Sequence, residues 1–264
     1  MVFIKSSFAL VALFSTLAFS APVRREVPQE HSHEPIITKV RASLNLNNPD
    51  KIQDPIFALL GNAAAAAGAG DITNLDCLQQ AVADQAFTNA KAAGDVDGQV
   101  NALIFRALER NTGSVGQASV LCTETAKNPE VAAIQQHQDP ASTGAAATNK
   151  AIVLELAKQI AAVGGNPLDA LKSGTFAPGK IGDPTAKGNT CDDANDANGC
   201  IFTQNLLVND ATEDEINQAV AGISGSGSSS AAATATTVAS GSAATCAPPS
   251  TVTVTVAATA TARR

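Results

Sequence analysis

Between Cys191 and Cys200 the chain reads CDDANDANGC. Asp192, Asp193, Asn195, Asp196 and Asn198 place five oxygen-bearing side chains between two thiols. Two chemistries suit such a pattern, a calcium loop and a polar turn closed by a disulfide. An EF-hand loop needs an oxygen ligand at position 1, glycine at position 6 and a carboxylate at position 12. Setting Gly199 at position 6 puts Ala194 at position 1 and Asn205 at position 12, and neither serves. The spacing therefore predicts a polar turn held by Cys191 and Cys200. Asn and Asp tolerate the left-handed backbone that a tight ring requires.

Other chemistry is sparse. Of the three histidines, His31 and His33 form HSH in a polar N-terminal stretch, expected to be a solvated arm rather than a copper or nickel site. His137 sits in QQHQDP beside a turn and is expected at the surface. There is no G-x-S-x-G, no Walker sequence and no HExxH. The nearest dinucleotide-type match, GAGDIT from Gly68, has Thr73 where glycine is needed. Carboxylates are plentiful, but the chain has no Trp and no Tyr, the usual platforms for sugar rings. That argues against a glycosidase or lectin-type module. No catalytic, cofactor-binding or metal-ligating residue is assigned, and no cofactor is expected.

Five cysteines point to an oxidising compartment. Cys77, Cys122, Cys191 and Cys200 allow three pairings. The favoured one joins Cys77 to Cys122, between the second and fourth expected helices, and closes Cys191–Cys200 locally. Cys246 is the odd thiol, with three open fates: free, masked, or linked to a second molecule.

The beginning, MVFIKSSFALVALFSTLAFSAPVRR, has a basic start at Lys5 and an apolar run from Phe8 to Phe19. Small residues precede a cut between Ser20 and Ala21. This reads as a secretory signal peptide, too short to span a bilayer. The pair Arg24-Arg25 is similar to a kexin-type processing site, which would start the mature chain at Glu26. The whole sequence carries −7, and without its first 25 residues, which hold three basic side chains and no acid, it carries −10. An acidic chain repels phosphate backbones and anionic lipid, so neither nucleic acid nor a membrane is an expected partner. From residue 224 to the end there is no Asp, Glu or Lys, and Ser and Thr recur among Ala, Gly and Val. That composition predicts a disordered, O-glycosylated tail.

The domain boundaries expected are 1–20 signal peptide, 21–36 processed or flexible arm, 37–223 helical domain and 224–264 tail. Within the domain, helices are expected from Asn48 to the glycines Gly68 and Gly70, from Asp71 or Thr73 through Phe87, over Val100 to Leu108, over 114–126, briefly after Pro129, over 142–163, and from Thr212. The last carries the capping box Thr212-Glu213-Asp214-Glu215. Their Leu/Ile/Val stripes predict an all-α, disulfide-stapled bundle. From 173 to 205 the pattern fails, and a long polar loop is expected there.

ALKSGTFAPGKIGDPTAKGNTCDD (170–193) and GCIFTQNLL (199–207), with the signal peptide, the early dibasic pair, the Ala-rich helices and the Ser/Thr/Ala tail, resemble secreted proteins of filamentous fungi. These are counted as cell-wall-associated or effector-like. The resemblance implies a secreted, non-enzymatic cell-wall or cell-surface protein whose partners are wall polysaccharide or wall proteins. The alternatives are an effector or elicitor that binds a host or microbial partner through the polar loop, and a helical carrier of a small apolar ligand.

Overall fold

The computed structural model describes residues 30–223. Among the described residues the fold is all-α, and its one extended pairing is an isolated antiparallel bridge between Thr175 and Val208. The long helices are α1 (Glu34–Leu44), α3 (Leu78–Ala93), α4 (Val96–Ala107) and α6 (Ala145–Ala162); α2 (Asn62–Ala65), α5 (Pro129–Ala132), α7 (Cys200–Thr203) and α8 (Glu213–Ala219) are short. Short 3-10 segments cover Glu30–His33, Pro55–Leu59, Leu75–Cys77 and Pro167–Ser173. No described helix is long and apolar enough to cross a membrane.

The core follows the stripes. Ile37, Val40 and Leu44 of α1 meet Leu78, Val82 and Phe87 of α3 and Leu103, Ile104 and Phe105 of α4. Leu156 and Ile160 of α6 and Ile216 of α8 extend it. Alanines at 83, 86, 90, 102, 107, 157 and 170 are fully buried, which lets the helices pack closely. Asp95 caps α4 by accepting from Gly98 N (2.9 Å), and Thr212 and Glu215 form the expected capping box on α8.

α3 is the central element. Both its apolar and much of its polar side are buried, including Gln79, Gln80, Asp84, Gln85 and Asn89. These polar groups replace water at the ends of other elements. Gln79 Nε2 donates to the carbonyls of Phe105 (2.9 Å) and Leu108 (2.8 Å), where α4 ends. Asn89 Nδ2 donates to Ser43 O, Leu44 O and Asn47 O, where α1 ends. The last carbonyls of a helix have no partner within it, so a buried helix end must find such donors.

Three expectations are corrected. Residues 30–36 are not a flexible arm. Ser32, His33 and Ile36 are buried, and Pro35 sits in the first turn of α1, where its missing N–H costs nothing. The expected helix from Asn48 is instead a turn followed by two short pieces, because Pro55 and Gly61 each restart the chain. Residues 114–126 form no helix. Gly113 and Gly116 adopt positive φ (69° and 84°), and the backbone beyond them bonds to side chains from elsewhere.

Candidate functional site

The polar loop is where the sequence places its most reactive-looking residues. The structure ties this loop to the N-terminal turn. Cys191 bonds Cys200 and Cys77 bonds Cys122. The second of these bridges links the start of α3 to a non-helical segment, not to a helix. Gly199 adopts φ +79, and a Cβ on it would lie 2.5 Å from Ser32 O. Only glycine lets the two strands of chain meet so closely at that conformation.

The acids of CDDANDANGC are engaged by the fold. Asp192 Oδ1 accepts from His31 N and faces His31 Nδ1, both at 2.9 Å. Asp193 Oδ1 accepts from Asn195 N (2.9 Å), and Asp196 Oδ1 accepts from Asn198 N (3.0 Å). Asp196 Oδ2 also accepts from Thr203 Oγ1 (2.5 Å). Asp183 repeats the device further up the loop, accepting from Thr185 N, Thr185 Oγ1 and Gly188 N. Those donors hold its carboxyl below the usual range. Such Asx turns are how short polar side chains organise a loop without regular structure.

Among the described residues, one group offers three metal-ligand atoms within 4.8 Å of one another: Glu30, His31 and Asp192. His31 and Asp192 already satisfy each other there as a hydrogen-bonded pair. Three protein ligands fall short of the closed four-ligand set of a structural zinc site.

Both remaining histidines are interior, which corrects the expectations of a solvated arm and a surface position. His33 is buried, with Nε2 donating to Gly174 O (3.1 Å) and Nδ1 accepting from Ser32 Oγ (2.9 Å). Burial, and to a lesser degree the nearby His137, pushes its imidazole down to about 4 against the opposing pull of the Gly174 carbonyl. Its ring stands edge-on to Phe202 of α7, with centroids 5.5 Å apart. His137 is fully buried, and its N–H and Nδ1 both donate to Ala107 O at the end of α4. Its Nε2 faces Asp210 Oδ2 at 3.5 Å.

Over residues 109–115 and 139–140 the loop forms one side of an open hollow of about 40 Å³, lined by Glu109, Asn111, Val115, Asp139, Lys187 and Asn189. Asp139 is engaged there, accepting from Gly116 N and Ala141 N. The volume suits about three waters.

The chain matches no protein-family model, none of the curated proteins and no solved structure. The processing residues Ser20, Ala21, Arg24 and Arg25, together with Cys246 and the Ser/Thr/Ala tail, lie outside the described residues. Sequence reasoning missed the buried polar side chains of α3. Gln79, Gln80, Asp84, Gln85 and Asn89 point in different directions around the helix, so no face pattern marks them; the only signal was composition, since α3 carries just two charged side chains, Asp84 and Lys91.

Proposed function

We propose that the chain is a secreted, non-enzymatic fungal cell-wall or cell-surface protein. In this reading the helical domain is presented on an O-glycosylated tail and contacts wall polysaccharide or wall proteins. One observation carries the non-enzymatic part. The side chains that the sequence offers for chemistry hold structure instead: Asp192 on His31, His33 on Gly174, His137 on Ala107, and Asp193 and Asp196 on their own loop. The two disulfides support an oxidising, extracellular location. Fractionation tests it. Culture medium is separated from washed walls, and the walls are treated in turn with hot detergent, reductant and glucanase. The reading expects release only by reductant or glucanase. A protein found almost wholly free in the medium sinks it.

A second reading is an effector or elicitor that binds a host protein through the loop. Ile181 favours it, as a large apolar side chain 69% exposed near the loop tip. Exposed apolar groups on loops held by a rigid scaffold are a common form of binding surface. Under this reading Ile181→Ser abolishes the infiltration or infection phenotype while the melting curve is unchanged. An unchanged phenotype removes it.

A further inference from the structure

A groove of about 310 Å³ runs between α1, α4, the Pro167–Ser173 turn and α7. Its floor is Ile36, Val100 and Ile104, each a core residue no more than 5% exposed, and Phe202 forms a wall. The space falls at the lower end of the range for small-molecule sites. The wall is fixed from behind. Phe202 belongs to α7, which starts at the Cys191–Cys200 bridge, and its ring packs edge-on against buried His33.

Charge defines the occupant. Lys39 pairs with Asp97 and Lys172 with Asp169, each at 2.8 Å, and all four line the groove. Each ammonium is matched by its own carboxylate, so the rim carries no net charge. An ionic ligand would lose hydration on entering and meet no unmatched partner. An uncharged apolar molecule loses only its own contact with water, which is favourable.

We infer that this groove binds one small, uncharged, apolar molecule. The inference goes beyond the cell-surface role and does not depend on it, since it concerns the purified chain and not where the chain resides.

The chain lacks Trp and Tyr, so a fluorescent ligand is read against a dark protein. The full secreted chain is titrated with 1-anilinonaphthalene, and separately with its sulfonated counterpart, 1-anilinonaphthalene-8-sulfonate. The expected result is saturable, single-site binding of the neutral dye, about ten-fold or more tighter than the sulfonate. Val100→Phe fills the floor and weakens the neutral dye by about ten-fold. Phe202→Ala removes the wall and weakens dye binding several-fold; because Phe202 is only half-buried, the change lowers the melting temperature modestly and leaves the domain folded. This second variant keeps the test open should Val100→Phe fail to fold. Asp97→Asn gives the rim one positive charge, and should tighten the sulfonate while leaving the neutral dye unchanged. Absence of saturable neutral binding overturns the inference. So does neutral binding that survives Phe202→Ala and a folded Val100→Phe, and so does a sulfonate that binds the unaltered protein as tightly as the neutral dye.

Discussion

Two irregular, polar segments of this domain, 112–127 and 176–199, are held in opposite ways. The first borrows its partners from helices and neighbouring chain. Asp84 of α3 accepts from Lys127 N and Asn128 N (both 2.9 Å), Gln80 donates to Glu124 O (2.8 Å), and Gln136 and Gln138 bond the backbone at Val120 and Ser119. Cys77–Cys122 adds a covalent tie. The second supplies most of its partners itself, through the turns at Asp183, Asp193 and Asp196 and through Asn189, which donates to Ala177 O and Pro178 O. Segment 112–127 is therefore part of the interior framework, and 176–199 is a self-organised attachment. Polarity alone does not distinguish the two; the origin of each donor and acceptor does.

The largest expected effect separates the disulfides. Replacing Cys77 and Cys122 by serine opens a 45-residue separation, and loop-closure arithmetic puts the loss at about 4 kcal/mol. The same change at Cys191 and Cys200, a separation of 9, costs about 2.5 kcal/mol. Urea unfolding measures both. Hydrogen exchange sharpens the contrast, with the second variant exposing amides near 190–205 and the first exposing the whole domain. Equal, global exposure in both variants would break the comparison.

Next comes acid. His33 is held neutral in the folded state at about 4, below its ordinary 6.5. A base with a lowered folded pKa binds its proton more readily when unfolded. The stability that neutral His33 allows is complete above about pH 6.5, declines as the pH falls, and is fully lost below about 4, a total of about 3 kcal/mol. Urea midpoints at pH 7 and pH 4 measure it, and His33→Gln should flatten the dependence. Because His33 donates to Gly174 at the root of the loop, the loop should loosen before α3 and α4 do.

Carboxylate deletions give a finer test. Asp84→Ala leaves two backbone N–H groups at 127 and 128 without their acceptor beside a buried helix, at a cost of about 3 kcal/mol. Asp183→Ala removes an equal number of backbone bonds from an exposed turn, where water replaces them, and should cost far less. Equal costs would mean that the loop is as integral as the framework.

What the sequence made legible follows from locality. α3, α4 and α6 announce themselves by apolar stripes, and α8 by a capping box contained in four residues. The Cys191–Cys200 ring and its turns are equally local. α1 was obscured because Glu34-Pro35 follows a His-rich polar run, although Ile36, Ile37, Val40 and Leu44 already form its stripe. The dock of the loop was not readable, since Asp192 meets His31 across 161 residues of chain. The burial of His137 depends on a carbonyl at the far end of another helix, which no spacing encodes.

The bridge from Val208 N to Thr175 O, at 2.8 Å, has a practical consequence. It closes the base of the loop, while the Cys191–Cys200 ring and α7 pin its far limb, so only the stretch between Thr175 and Cys191 is free of the helices. At Gly182, φ is +82° and a Cβ would meet nothing within 4 Å. A foreign peptide spliced there would disturb the Asp183 turn beside it but leave the helices untouched, making this loop a port for epitope display.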